Sequence, residues 1–148
     1  AERIRDLMAD LRPPVLDDYG LVAALHWLGE QFAGRTGIAV TVSGEELVPR
    51  LPAHVENGLF RIAQEALTNV AKHAQASQVK MVIDSIGDAL RLVVADNGVG
   101  FDPTKRAESE EHGWGLLTMC ERAQAIGGHC HVRSSTGQGT RVTVEVPL

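Results

Sequence analysis

Aromatic residues are scarce, at 4% of 148, and cysteine is nearly absent, with two. Cys120 and Cys130 form no CxxC pair, so neither a disulfide scaffold nor a zinc site is indicated, and two reduced, packed thiols are expected. No apolar run approaches the roughly 20 residues that span a bilayer. The chain opens on Ala1-Glu2-Arg3-Ile4-Arg5-Asp6, which is charged where a leader peptide would turn apolar. Basic residues are outnumbered, 14 Lys and Arg against 19 Asp and Glu, and the net charge of −5 argues against a nucleic-acid partner. Neither a GxxxxGK[ST] loop nor a GxGxxG fingerprint occurs. What is present is 44% hydrophobic and 22% charged, a globular balance, in a chain long enough to bury its own core. The distinctive chemistry must sit around its 15 glycines.

Ile4, Leu7, Met8 and Leu11 have helical spacing, and the helix begins without a cap, as if cut from a longer one. Arg12-Pro13-Pro14 is expected to stop it, leaving Val15 to Gly20 as a linker. A second helix is expected from about Leu21 to Ala33, ended by Gly34 and Gly37. Ile38, Val40 and Val42 then alternate as a half-buried strand. The longest helix spans about Ala53 to Ala74. Gln78–Ile86 and Ala89–Asp96 form a hairpin at Gly87-Asp88. A helix from about Leu116 to Ile126 precedes a last hairpin, His129–Ser134 and Gly139–Val146. Strands joined directly to strands, with helices interspersed, predict an α+β two-layer sandwich, a mixed sheet covered on one face by helices.

On the long helix Glu65, Asn69 and Lys72 recur at four and three residues, within roughly 60° of one another at about 100° per residue. His73 lies one step further round, nearer the core. A solvated face with a Glu–Lys pair is one reading. The other is a carboxylate, an amide oxygen and an ammonium aligned along a groove, a set that suits a hydrated magnesium ion and a polyphosphate.

Leu90, Leu92 and Val94 share one face of their strand, and period-2 geometry sends Asp96 to that same apolar side. A carboxylate there needs a donor or costs several kcal/mol. It either caps the turn at Asn97-Gly98 or accepts from a buried ligand's amino group. Thr140, aligned with Val142, Val144 and Val146, also sits at the mouth of the core and could assist. Glycine pairs Gly98/Gly100 and Gly113/Gly115 bracket a stretch with six charged residues between Asp102 and Glu111, a composition suited to a lid that closes and reopens. Gly113-Trp114-Gly115 would open a helix whose free amides meet phosphate oxygens. Trp114 either packs the closed lid or shields that helix start.

These segments together resemble the bacterial sensor histidine kinases. Residues 60–74, FRIAQEALTNVAKHA, look like the N-box of the subfamily that includes the nitrate/nitrite and membrane-fluidity sensors. Asp96-Asn97-Gly98-Val99-Gly100 resembles the first glycine box, Gly113-Trp114-Gly115-Leu116 the second, and Gly139-Thr140 the final glycine–threonine element. Leu11 to Asp18 resembles the junction with the dimerisation helices, so residues 1–19 are read as the end of such a helix plus linker and 20–148 as the catalytic domain.

The likeness implies the Bergerat ATP-binding fold with ATP and Mg²⁺ as ligands. It makes Asn69 the magnesium ligand, Asp96 the acceptor for the adenine amine, with Thr140 and Leu116 beside it, and Lys72 and His73 neighbours of the phosphates and ribose. Gly98 and Gly100 would let the backbone approach the nucleotide, while Gly113 and Gly115 would hinge the lid. Glu65 would polarise the attacking group or complete the magnesium shell.

The implied reaction passes the γ-phosphate to a histidine followed by Asp or Glu, and no histidine here has such a neighbour. The acceptor is therefore expected on an upstream dimerisation domain of a longer, homodimeric protein, with a response regulator as the next partner. The fragment would be cytoplasmic, or the cytoplasmic part of a membrane-anchored sensor, without membrane contact of its own. The alternatives are a nucleotide-binding switch without transfer, or another Bergerat-fold ATPase or serine kinase such as an anti-sigma factor. His129 and His131 are expected on the polar face of their strand.

Overall fold

The computed structural model describes residues 13–102 and 110–148, of which 110–115 by backbone alone. In chain order the elements are α1 (Pro14–Tyr19), α2 (Leu21–Thr36), β1 (Ala39–Ser43) and α3 (Ala53–Asn69), which runs on into a π-helical turn at Val70–Ala74. Then come β2 (Gln78–Ile86), β3 (Ala89–Asp96), α4 (Glu110–Ala125), β4 (His129–Ser134) and β5 (Thr140–Pro147). The five strands form one mixed sheet in the order β1-β2-β3-β5-β4, with β1 and β2 parallel and the other pairs antiparallel. Helices pack on one face, as the alternation of strands and helices predicts.

The core follows from the two periods. Met81, Ile83, Leu90, Leu92, Val142 and Val144 stand on the inward side of β2, β3 and β5 and join Leu25, Phe32, Leu59, Ile62 and Met119 from the helices in one buried cluster. The opposite face of the sheet mixes Lys80, Asp84, Arg91, Arg141 and Glu145 with Val82 and Val93, and on it Arg91 Nη2 lies 3.2 Å from Asp84 Oδ2 across β2 and β3. His129 and His131 are exposed, as alternation requires.

Three expectations are corrected. The expected linker is a helix, α1, and Pro14 begins it. Proline fits the first helical position because its missing amide has no partner there in any case. Second, α2 runs past Gly34 to Thr36 and ends at Gly37, whose φ of +78° lets its amide close on the Ala33 carbonyl at 2.8 Å. Third, α4 begins at Glu110, so Gly113 and Gly115 lie inside its first turns rather than ahead of it. The helix expected at residues 1–11 and most of the expected lid lie outside the described residues.

The loop after β1 ties the junction of α1 and α2. Glu46 Oε1 accepts from the Ala23 amide in the first turn of α2 at 3.1 Å. Arg50 donates to the Leu16 and Asp17 carbonyls at the end of α1, both at 2.9 Å. Its guanidinium also pairs with Glu56 at 2.7 and 3.3 Å, and Glu56 is only 2% exposed. An anion at a helix start and a cation at a helix end both match the helix dipole.

The cysteines, on consecutive elements, meet between α4 and β4, with Cys120 Sγ 4.0 Å from the Cys130 carbonyl. Both are free thiols, and burial, followed by the contact with Cys120, pushes the Cys130 thiol up to about 12.

Candidate functional site

A cleft of about 520 Å³, part of it open to solvent, lies between the end of α3 and the strands β3 and β5. Its floor is apolar, with Ala66, Val70, Val94 and Val142. Its polar groups come from three places: Asn69 and His73 from α3 and the π-helical turn, Asp96 from the end of β3, and Thr140 from the start of β5. Gly100, Phe101 and Leu116 close one side. Apolar walls with a few convergent polar groups are the usual make-up of a small-molecule site.

The π-helical turn explains why His73 joins Asn69 there. Hydrogen bonds to the fifth residue widen the turn, so each residue rotates the chain by less than the α-helical 100°. Residue 73 therefore returns closer to the direction of residue 69 than a plain helical wheel places it. Lys72 is exposed and does not line the cleft.

Asp96 caps the turn and also stands in the wall of the cleft. Its Oδ1 accepts from the Gly98 amide at 2.8 Å, closing the turn, while the residue also lines the cleft. Burial pushes its carboxyl above the usual range, and hydrogen bonds from the Gly98 and Thr140 amides partly offset this.

The glycine loop earns its residues by close packing. A β-carbon on Gly98 would overlap the Ala74 carbonyl, which accepts from the Val99 amide at 2.7 Å. Gly100 has φ of +65° and abuts the Ser135 carbonyl. Gly98 is not itself a lining residue; it seats the loop on the π-helical turn.

Two residues escaped sequence reading. Asn97 Oδ1 accepts from the Ser77 and Gln78 amides at 2.9 and 3.0 Å, and its Nδ2 donates to Ser77 Oγ at 2.9 Å. It pins the end of β3 to the start of β2. Ser134 Oγ lies 2.9 Å from Thr140 Oγ1, accepts from the Phe101 amide at 2.8 Å and donates to the Gly139 carbonyl at 3.0 Å. Alternation along β4 would have placed Ser134 on the inward side with Val132, but its partners are visible only in the folded chain.

Glu65 stands apart from the cleft. It lines a separate groove with Arg61, Trp27 and Arg122, and its carboxylate is 3.9 Å from Arg122 Nη2. Among the described residues no group of three or more His, Cys, Asp and Glu side chains is placed to hold a metal ion. The one amide oxygen that Asn69 offers in the cleft wall suits a magnesium ion that arrives on a polyphosphate and keeps most of its other ligands.

The model of the family described as histidine kinase-, DNA gyrase B- and HSP90-like ATPase matches residues 54–148. The chain is 42% identical over 146 residues to the sensor histidine kinase MctS of Rhizobium johnstonii, covering 99% of this chain and 32% of that protein. It spans about a third of the length of the curated relatives it matches. A blue-light-activated histidine kinase of Erythrobacter litoralis superposes with a TM-score of 0.72 at 22% identity, covering 86% of this chain and 42% of that one. Full-length ShkA in complex with AMPPNP superposes with a TM-score of 0.67 at 28% identity, covering 86% of this chain and 29% of that one.

Proposed function

The chain belongs to the histidine kinase-, DNA gyrase B- and HSP90-like ATPase family, and we propose that it is the ATP- and magnesium-binding catalytic part of a sensor histidine kinase. In this reading it transfers the γ-phosphate of ATP to a histidine on a dimerisation domain of the same, longer protein, for relay to a response regulator. Its place is the cytoplasm, where both ATP and that partner are found. Residues 1–19 serve as the end of the dimerisation helix and the linker, and the rest as the catalytic domain. The hold of Arg50 on the end of α1 supports that division, since it seats the linker on the domain.

The observation that carries the reading is the Asp96 carboxylate in the wall of an otherwise largely apolar cleft that Asn69, His73 and Thr140 also line. Adenine fits the apolar walls and offers its exocyclic amine to Asp96, and the phosphates extend toward Asn69 and His73. Asn69 gives an amide oxygen to the magnesium ion, and Lys72, exposed beside it, adds positive charge near the phosphates. Magnesium, when bound, neutralises charge on the phosphate oxygens. Phosphoryl transfer needs positioning and charge compensation more than covalent help from the protein. Glu65, one turn before Asn69 and outside the cleft, is where an incoming acceptor would meet a carboxylate. Gly113 and Gly115, in the first turns of α4, hinge the lid.

Calorimetric titration of this chain with ATP, with and without Mg²⁺, tests the reading. Magnesium-sensitive binding is expected, with no phosphate appearing on the chain itself. Absence of nucleotide binding under both conditions would overturn it.

A further inference from the structure

The polar end of the cleft can be followed proton by proton. Thr140 has two donors, its amide and its hydroxyl. The amide donates to the Asp96 carboxylate. The hydroxyl lies 2.9 Å from Ser134 Oγ, and either oxygen could by distance be the donor. Ser134 decides the matter, because a serine hydroxyl has one proton. A carbonyl has no proton to give back, so both contacts are hydrogen bonds at once when the Ser134 proton goes to the Gly139 carbonyl at 3.0 Å. The Phe101 amide already donates to the same Oγ at 2.8 Å. In that arrangement Ser134 accepts from Thr140, and the Thr140 proton is held away from the cleft. Toward the cleft Thr140 shows lone pairs, beside a carboxylate that shows the same.

We propose that Ser134 is a positioning residue which locks the Thr140 hydroxyl as an acceptor and so sharpens the preference for a purine with an amine, rather than a carbonyl, at C6. The inference rests on the nucleotide reading of the cleft and adds to it the origin of base selectivity. A threonine hydroxyl free to rotate would serve either base, donating to a carbonyl or accepting from an amine. Locked by Ser134, it can accept from a C6 amine but cannot donate to a C6 carbonyl. Asp96 by itself disfavours a carbonyl, and Ser134 removes the compensation that Thr140 could otherwise supply.

The test compares ATP with inosine triphosphate, which carries a carbonyl where ATP carries the amine. Affinities for both are measured by calorimetry, in Mg²⁺, for the wild-type chain, Ser134→Ala and Ser134→Thr. Ser134→Ala is expected to narrow the preference for ATP by about three- to tenfold, the worth of one net hydrogen bond, chiefly by tightening inosine triphosphate. Ser134→Thr, which keeps a hydroxyl, should hold the wild-type ratio. If Ser134→Ala weakens both ligands by the same factor, Ser134 is merely structural and the inference is overturned. A wild-type chain that binds both equally would instead sink the amine-acceptor reading of Asp96, a different and recognisable failure. Should Ser134→Ala not fold, Thr140→Val decides. A locked acceptor predicts weaker ATP binding with inosine triphosphate unchanged, whereas loss of both refutes the lock.

Discussion

The Oδ1 atom of Asp96 lies 2.8 Å from the amide nitrogen of Gly98, so the carboxylate that faces the cleft also closes the turn leading out of β3. One group thereby couples the shape of the glycine loop to the chemistry of the site. Because burial raises its pKa, its two pH effects run in opposite directions. A carboxyl with a raised folded-state pKa contributes stability that is full below the ordinary carboxylate range and is lost as pH rises through the raised value. Nucleotide binding needs the ionised acceptor, so affinity is expected to fall as pH drops through that same value. Asp96→Asn should weaken ATP binding by about 10- to 100-fold at neutral pH and remove both trends. Calorimetry and thermal unfolding between pH 4 and 8 would check this, and an unchanged affinity would refute the acceptor role.

Asn69→Ala is expected to lower ATP affinity in Mg²⁺ by about tenfold while leaving affinity in a chelator nearly unchanged, since the lost oxygen serves the cation rather than the base. An equal loss in both conditions would assign Asn69 to packing of the π-helical turn instead.

Gly98→Ala is expected to destabilise the chain by about 1–3 kcal/mol, the usual cost of overpacking. The added methyl group meets the Ala74 carbonyl, and the hydrogen bond from Val99 to that carbonyl would have to yield. Thermal unfolding measures the loss, and nucleotide affinity should fall with it because the loop carries Gly100 to the wall of the cleft.

Arg50→Ala should lower Tm more than the double replacement Arg50→Met with Glu56→Leu. The single change strips the partner from a carboxylate that is 2% exposed, whereas the double change removes the buried charge altogether. Scanning fluorimetry of the three chains gives the order, and a double variant less stable than the single one would show that the ion pair itself dominates.

Much of the fold was legible because strand and helix periods are local. The hairpin Gln78–Ile86 to Ala89–Asp96 follows from alternation and Gly87-Asp88, and the observed strands have those limits. The inward direction of Asp96 and Thr140 follows from the same rule. Pro14 was misread since proline both ends helices and begins them, and only the register of the following residues distinguishes the two. Gly34 was misread because a glycine inside a helix costs only about 1 kcal/mol against alanine, which burial of Leu25, Leu28 and Phe32 on the other side of α2 outweighs.

The sequence by itself determined the order of elements, the apolar faces, and the residue types gathered at the cleft. Those are consequences of periodicity and of side-chain chemistry, which each residue carries wherever it goes. Tertiary structure alone decided how those residues meet. A π-helical turn brings His73 into line with Asn69, pairing of β4 with β5 sets Ser134 opposite Thr140, and the packing of α4 on β4 brings Cys120 against Cys130. Each depends on how the chain is wound or how adjoining elements pack, where a rotation of a few tens of degrees or a shift of one residue changes the partner. Directional bonds such as those around Ser134 form only after that geometry is fixed, because a hydroxyl has one proton and the fold decides which partners stand within its reach.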